Sequence, residues 1–264
     1  MSVAEIMATL ETTLNANDAV SIVAQINHQA NAAKAGLELR PTRVTQFGNP
    51  KLGTPLMQIN QLAGLDLPLK MFAWEDEAGQ SHLTYNSADY LSARYGLGES
   101  QATLDTINNA LAQLAAKASG QAAQSYDKAT PSKGEGIVVV PSANDMDTTF
   151  NTLQQAIDNA EPLTKVAVVD HSANATKAGL SLLPTKLIIF GNPKLGTPLM
   201  QSGQSIGLDL PQKMLVMEDS SGQVSVAYDD PAYLAQRHNI SDQQDIIATI
   251  TQALGNLAAG ATAS

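Results

Sequence analysis

Phe47-Gly-Asn-Pro-Lys-Leu-Gly-Thr-Pro-Leu-Met-Gln58 recurs without a change as Phe190-Gly-Asn-Pro-Lys-Leu-Gly-Thr-Pro-Leu-Met-Gln201, 143 positions later. The likeness extends outward at the same spacing. His28-x-Ala-Asn-Ala-x-Lys-Ala-Gly-Leu matches the stretch from His171, Gly64-Leu-Asp-Leu-Pro matches the stretch from Gly207, and Tyr85, Tyr90 and Arg94 match Tyr228, Tyr233 and Arg237. A period this long belongs to whole domains in tandem, since solenoid repeats run to about twenty to fifty residues. The sequence therefore divides into a first repeat over 1–115, a linker over 116–135 and a second repeat over 136–264.

In the second repeat, Gly136-Ile-Val-Val-Val140 is a β-branched run between glycines and Pro141, which suits a short strand. Phe150, Leu153 and Ile157 then form a helical stripe. Lys165 to Asp170 and Thr185 to Phe190 read as strands. Met214 to Glu218 and Val224 to Tyr228 read as a hairpin around Ser220-Ser221-Gly222. A short helix is expected over Thr197 to Ile206. A last helix is expected from Ser241, where Ser241-x-x-Gln244 has the pattern of a capping box and Ile247, Ile250, Leu254 and Leu257 share a face. Strand, helix, several strands, helix is an α+β order: two homologous domains, each a mostly antiparallel curved sheet with packed helices.

The first repeat runs the same course from Ile6, Leu10 and Leu14 to Leu104, Ile107, Leu111 and Leu114, but the counterpart of Ile137 to Val140 falls before residue 1. A trimmed start is the preferred explanation and a strand supplied from elsewhere is the other, because an unfilled sheet edge leaves backbone groups open to pairing. A removed export signal would be trimmed in the same way, so the compartment stays open. The early part of the Ala-, Ser-, Gly- and Gln-rich linker can continue the preceding helix and the rest reads as flexible; its span permits the repeats to pack as a pseudo-symmetric pair, and a homodimer is a further expectation.

Composition narrows the partners. A net charge of −10 opposes contact with a phosphate backbone, so nucleic acid is not an expected partner. No apolar run reaches the roughly eighteen residues of a membrane helix, so no membrane partner is expected either. The absence of cysteine removes disulfides, thiolate metal sites and a cysteine nucleophile.

Taken in order, Asp-His-x-x-x-Ala-x-x-x-Gly-Leu from Asp170, Phe190-Gly-Asn-Pro-x-x-Gly-Thr-Pro-Leu-Met200, Leu208-Asp-Leu-Pro211, Glu218-Asp219 before a hairpin, and Tyr228-x-x-Pro-x-Tyr-Leu-x-x-Arg237 make a specific series. The series resembles the bacterial and archaeal domain-of-unknown-function family 302, over Gly136 to about Leu257 and again from about Ile6 to Leu114. The resemblance implies a compact α+β domain described as TATA-binding-protein-like, with a tendency to dimerise, and implies no established activity. Asn27 stands where the second repeat has Asp170, and Ala88 where it has Pro231. If that Asp is chemically needed, only the second repeat is competent.

The candidate ligand-binding residues are His28, Asn49, Lys51 and Thr54, with His171, Asn192, Lys194 and Thr197 in the second repeat. The Gly-Asn-Pro-Lys-Leu-Gly-Thr-Pro segment leaves a strand and is expected to enter a helix near Thr54 or Thr197, with Pro55 or Pro198 first in the helix. Free amides, the helix dipole and a lysine there would suit a phosphate or carboxylate. The structural alternative is a tight turn, a cap and a solvated lysine. His28 and His171 have the place of a general base or metal ligand, or of residues that cap the following helix or bond to the turn. Glu75-Asp76 and Glu218-Asp219 are the supporting carboxylates. His82 and His238 have no histidine counterpart at the repeat spacing. Tyr90 with Arg94, and Tyr233 with Arg237, fall one helical turn apart, where an anion clamp and simple packing explain them equally. The methionines, Met57 and Met71 among them, read as core.

Three functions remain in competition: a small-ligand or anion-binding module, to which the sequence leans; a metal-assisted or acid–base enzyme built on His171 and nearby carboxylates; and an interaction or scaffold pair. No cofactor and no metal site is legible. A pocket joining the Lys194 loop to His171 would favour the first.

Overall fold

Ser2 and Glu5 start the first element: the Ser2 hydroxyl accepts from the Glu5 amide and the Glu5 carboxylate accepts from the Ser2 amide, a reciprocal cap for helix α1 (Val3–Asn15). Helix α1 buries Val3, Ile6, Met7, Leu10 and Leu14 along one face. The computed structural model describes residues 1–124 and 130–264, in two units, Met1–Glu135 and Gly136–Ser264.

After α1 the first unit continues through strand β1 (Ser21–Asn27), helix α2 (His28–Lys34), β2 (Thr42–Gly48), α3 (Pro50–Ile59), β3 (Leu69–Glu75), β4 (Ser81–Thr84), α4 (Ala88–Tyr95) and α5 (Gln101–Ser119). Its sheet is antiparallel with the order β1-β2-β3-β4. The second unit places β5 (Ile137–Pro141) before α6 (Met146–Asn159), then β6 (Thr164–Asp170), α7 (His171–Lys177), β7 (Thr185–Gly191), α8 (Pro193–Ser202), β8 (Gln212–Glu218), β9 (Val224–Asp229), α9 (Pro231–Arg237) and α10 (Gln244–Thr262). Its sheet is antiparallel with the order β5-β9-β8-β7-β6. The fold is α+β, as the element order predicts. The added strand, β5, pairs along β9 from Ile137 opposite Asp229 to Pro141 opposite Ser225. Among the described residues β4 has no neighbour on that side.

The central strands bury both faces. Leu187, Ile188, Ile189 and Phe190 of β7 and Met214, Leu215 and Val216 of β8 are all inside, which is why these strands are continuous apolar runs with no alternation. Helix α6 lies on the face that carries Lys186: the Lys186 ammonium sits 5.2 Å from the centre of the Phe150 ring and 3.5 Å from Asp147. Strands β1 and β6 each carry a register shift, between Ile22 and Ala24 and between Lys165 and Ala167, so both repeats kink the same edge strand at the same place.

Three local expectations need correction. Helix α10 begins at Gln244 after Gln243, with no side-chain cap, so the box proposed at Ser241 does not form. The short helix after β7 is Pro193–Ser202, followed by a 3-10 turn over Gln204–Leu208. The segment expected as a linker is partly ordered structure. Helix α5 runs to Ser119, in keeping with the expectation for the early part; beyond it Pro131 is buried, Gly134 donates to the Arg94 carbonyl, and Arg94 donates back to the carbonyl of Glu135. The rest of that expectation, over 125–129, lies outside the described residues.

Candidate functional site

Asn49 and Asn192 decide where the repeated helix starts. Each is the cap: its side-chain oxygen accepts from the amide two residues on, Lys51 or Lys194, at 3.0 Å. Its own carbonyl accepts from Leu52 and Gly53, or Leu195 and Gly196, at 2.9 to 3.0 Å. Pro50 and Pro193, which have no amide, stand first in the helix. The helix therefore opens four residues before Thr54, and Pro55 and Pro198 lie inside it. Asn-Pro and Thr-Pro are both start signals. The earlier one prevails because it satisfies every amide of the first turn, so an anion arriving there finds a dipole and a lysine and no vacant amide.

Within this segment the predicted lysines and threonines have different surroundings. Lys51 and Lys194 are exposed. Thr54 and Thr197 are buried, at 0 and 1% exposure, and their hydroxyls have no hydrogen-bond partner among the described residues.

His28 and His171, both buried, open α2 and α7. The residue before each makes the cap: Asn27 accepts from the Ala30 amide at 3.0 Å, and Asp170 from the Ala173 amide at 2.8 Å and the Ser172 hydroxyl at 2.7 Å. The expectation that the histidine caps the helix is thus corrected, and the Asp-to-Asn difference between the repeats exchanges one good capping group for another.

The histidines and lysines do not meet. In the β1–β2 ladder Asn27 lies opposite Arg43, whereas Ser21 lies opposite Gly48, so His28 follows one end and Asn49 the other. At about 3.3 Å per residue, those ends are roughly 20 Å apart. The same register holds for Asp170 with Lys186 and Thr164 with Gly191. A single pocket joining the Lys194 loop to His171 is not what the sheet builds.

The hairpin carboxylates do lie at the histidine end, where the Glu75 amide donates to Pro41 beside the start of β2. Asp76 and Asp219 are engaged in their own turns. Asp76 accepts from the amides of Ala78 and Gln80 at 2.9 Å and pairs with His82 at 2.7 Å. Asp219 accepts from the Ser221 hydroxyl and the amides of Ser221 and Gln223. The hydrogen bond with His82 holds the Asp76 carboxyl below its usual value, and the Ser221 hydroxyl does the same for Asp219, with the turn amides adding to both. Among the described residues no three His, Asp or Glu side chains converge as a metal site would require.

A buried polar constellation joins residues that the sequence reading leaves in pieces. Asp66, of the Leu-Asp-Leu-Pro motif, receives Lys70 at 3.0 Å, Arg94 at 3.0 Å and the Tyr95 hydroxyl at 2.8 Å, all buried. In the second unit Asp209 pairs with Arg237 at 2.6 Å and His238 at 2.8 Å, and Lys213 pairs with Asp229 at 3.3 Å. The Ser205 hydroxyl lies 2.9 Å from the other ring nitrogen of His238. Arg94 is therefore tied to Asp66 inside the fold, 5.6 Å from the centre of the Tyr95 ring. The signal available in the sequence was the recurrence of Asp, Lys and Arg together at the repeat spacing. A lysine in a strand ordinarily reads as solvated, which concealed Lys70 and Lys213.

The family model described as "Domain of unknown function DUF302" matches residues 1–114 and 138–257. Two curated relatives named "Fluoride-specific ion channel FluC 1", from Brucella suis biovar 1 (strain 1330) and Brucella abortus biovar 1 (strain 9-941), are each 44% identical over 118 residues. The match takes in 40% of this chain and 46% or 44% of the relatives, so the chain spans under half the length of either. No helix among the described residues is long and apolar enough to cross a membrane. A solved structure titled "Crystal structure of uncharacterized conserved protein DUF302 from Bacillus stearothermophilus" aligns with 47% of this chain and 96% of its own, at 18% identity and a TM-score of 0.43.

Proposed function

Since the chain belongs to the family described as domain of unknown function DUF302, in two tandem copies, we propose that it is a binding module whose domains each meet a small anionic ligand at the opening turn of α3 or α8. The observation that carries this reading is the contrast between two of the three lysine pairs common to the repeats. Lys70 and Lys213 are buried against carboxylates, whereas Lys51 and Lys194 are exposed beside a positive helix end. Lys34 and Lys177, exposed in both copies as well, stand in the last turn of α2 and α7, where the negative helix end accounts for a cation; Lys51 and Lys194 stand at the positive end, where the dipole does not account for one and a shared anion would.

The contact is a weak one. Because the first-turn amides are already bonded, the lysine and the helix dipole supply the attraction, worth about 0.3–1 kcal/mol at an exposed helix end. The relatives' names refer to fluoride, so fluoride joins inorganic phosphate and phosphate-bearing metabolites among the ligands to titrate. The reading as an acid–base enzyme at His171 has less support, because Asp170 and Asp219 already serve as local caps.

Calorimetric titration of the wild type and of a Lys51→Ala, Lys194→Ala double variant tests the proposal. The double variant is expected to bind roughly two- to fivefold more weakly, the factor that corresponds to this interaction. Equal affinity in the two proteins removes the loops from the account.

A further inference from the structure

We infer that Ser205, His238 and Asp209 of the second unit form a nucleophilic relay for the hydrolysis of small carboxylic esters. The Ser205 hydroxyl lies 2.9 Å from Nδ1 of His238, and Nε2 of the same ring lies 2.8 Å from a carboxylate oxygen of Asp209. A carboxylate can only accept, so Nε2 carries the proton that faces Asp209; in the neutral ring Nδ1 then holds the lone pair that the serine hydroxyl meets. Nucleophile, base and orienting carboxylate thus follow one another at hydrogen-bond distance, the arrangement that activates a hydroxyl. Arg237 donates to the same Asp209 oxygen at 2.6 Å and helps to fix the carboxylate. Asp209 and His238 are buried and Ser205 is half-buried, so the hydroxyl end of the relay is the one nearest solvent.

The first unit shows that the fold does not need this relay. At the repeat spacing Ser205 matches Leu62, His238 matches Tyr95 and Asp209 matches Asp66. The Tyr95 hydroxyl donates straight to Asp66 at 2.8 Å, which satisfies the aspartate with no base that works near neutral pH and no hydroxyl beyond it. A third difference serves the same site. In the first unit the Asn60 side chain accepts from the Leu62 amide at 3.1 Å and donates to the Tyr95 carbonyl at 2.8 Å. Gly203 takes its place, and the reason for glycine is space: a Cβ there would lie 2.8 Å from Ile240 and 2.9 Å from the His238 carbonyl. This close approach seats His238 against the turn that carries Ser205, and the Ser205 amide has no partner among the described residues. A nucleophile's own amide is a ready donor to the oxyanion that forms when its hydroxyl attacks a carbonyl.

With Ile240 packed on Gly203, two residues from the nucleophile, a short acyl chain is the one that fits. Ser205 Oγ attacks the ester carbonyl carbon while its proton passes to Nδ1 of His238. The tetrahedral adduct breaks its bond to the alkoxy oxygen, which takes that proton and leaves as the alcohol. Water then attacks the acyl-serine and gives its proton to His238, and the carboxylic acid departs as Ser205 Oγ takes the proton back.

The test treats the full chain with a fluorophosphonate, which phosphonylates activated serines with loss of fluoride, and maps the labelled residue by mass spectrometry. Label is expected on Ser205, at about 100-fold or more the rate in the urea-unfolded chain. Hydrolysis of 4-nitrophenyl acetate is expected to stop as that label accumulates, and Ser205→Ala should lose both reactions. His238→Tyr installs the first unit's residue, and His238→Gln keeps a donor for Asp209 but cannot serve as the base. Each should slow labelling by about 100-fold or more, with circular dichroism checking that the variant is folded. No label on Ser205, label spread over other serines at the same rate, ester hydrolysis that survives full labelling, or unchanged labelling of a folded His238 variant overturns the inference.

Discussion

Asp170 and Asn27 carry the sharpest residue-scale lesson. Read as sequence, an aspartate before a histidine invites a catalytic pairing; in the structure each side chain caps a seven-residue helix. Asp170→Asn should therefore change unfolding free energy by less than about 0.5 kcal/mol, whereas Asp170→Ala should lose about 1 kcal/mol, both measurable by urea denaturation. The buried hydroxyls give an opposite expectation. Thr54 and Thr197 lack partners, so Thr54→Val or Thr197→Val, which keeps the shape and removes a desolvated polar atom, should stabilise the protein by up to about 1–2 kcal/mol in the same assay. Asp66 is the strongest case. Its carboxylate receives Lys70, Arg94 and Tyr95 in the interior, and Asp66→Asn should lower stability by about 3–5 kcal/mol.

Turns and helix starts make up the element scale. Asp76 and Asp219 hold their hairpins as carboxylates whose folded pKa lies below the usual 3.8. The contribution of such a group is fully present above the unfolded value and is lost as pH falls through the lower folded one, so stability should drop in acid below about pH 4. Asp219→Asn should flatten that part of the profile, as followed by denaturant midpoint against pH. How much of each element was legible depended on the kind of signal. Strand runs such as Leu187 to Phe190, the amphipathic faces of α6 and α10, and the hairpin after Glu218 were plain because burial imposes their pattern. The start of α3 and α8 was misplaced because two capping signals stand five residues apart in one segment, and only the three-dimensional course of the chain shows which amides are left to satisfy. The distance between His28 and Lys51 was invisible for a related reason: it follows from strand register, which hydrophobic pattern does not give when both faces of β2 are inside.

At the scale of the whole molecule, duplication is what lets the two units comment on each other. Features kept in both, the Asp-Lys-Arg interior and the bulged edge strand, hold the fold. The exposed lysine of the Asn-Pro-Lys turn is also kept in both, and unlike Lys34 and Lys177, which stand at helix C-terminal ends, it stands at a helix start. Features found in only one, β5 beside β9 and the Trp74–His82 stack, mark where the units part. An amide nuclear magnetic resonance titration of the intact chain with inorganic phosphate tests the shared lysine most directly. The account predicts parallel shifts at Lys51 to Thr54 and at Lys194 to Thr197, both needing roughly two- to fivefold more phosphate in the double lysine variant. Shifts confined to other residues, or none at saturating millimolar phosphate, would contradict it.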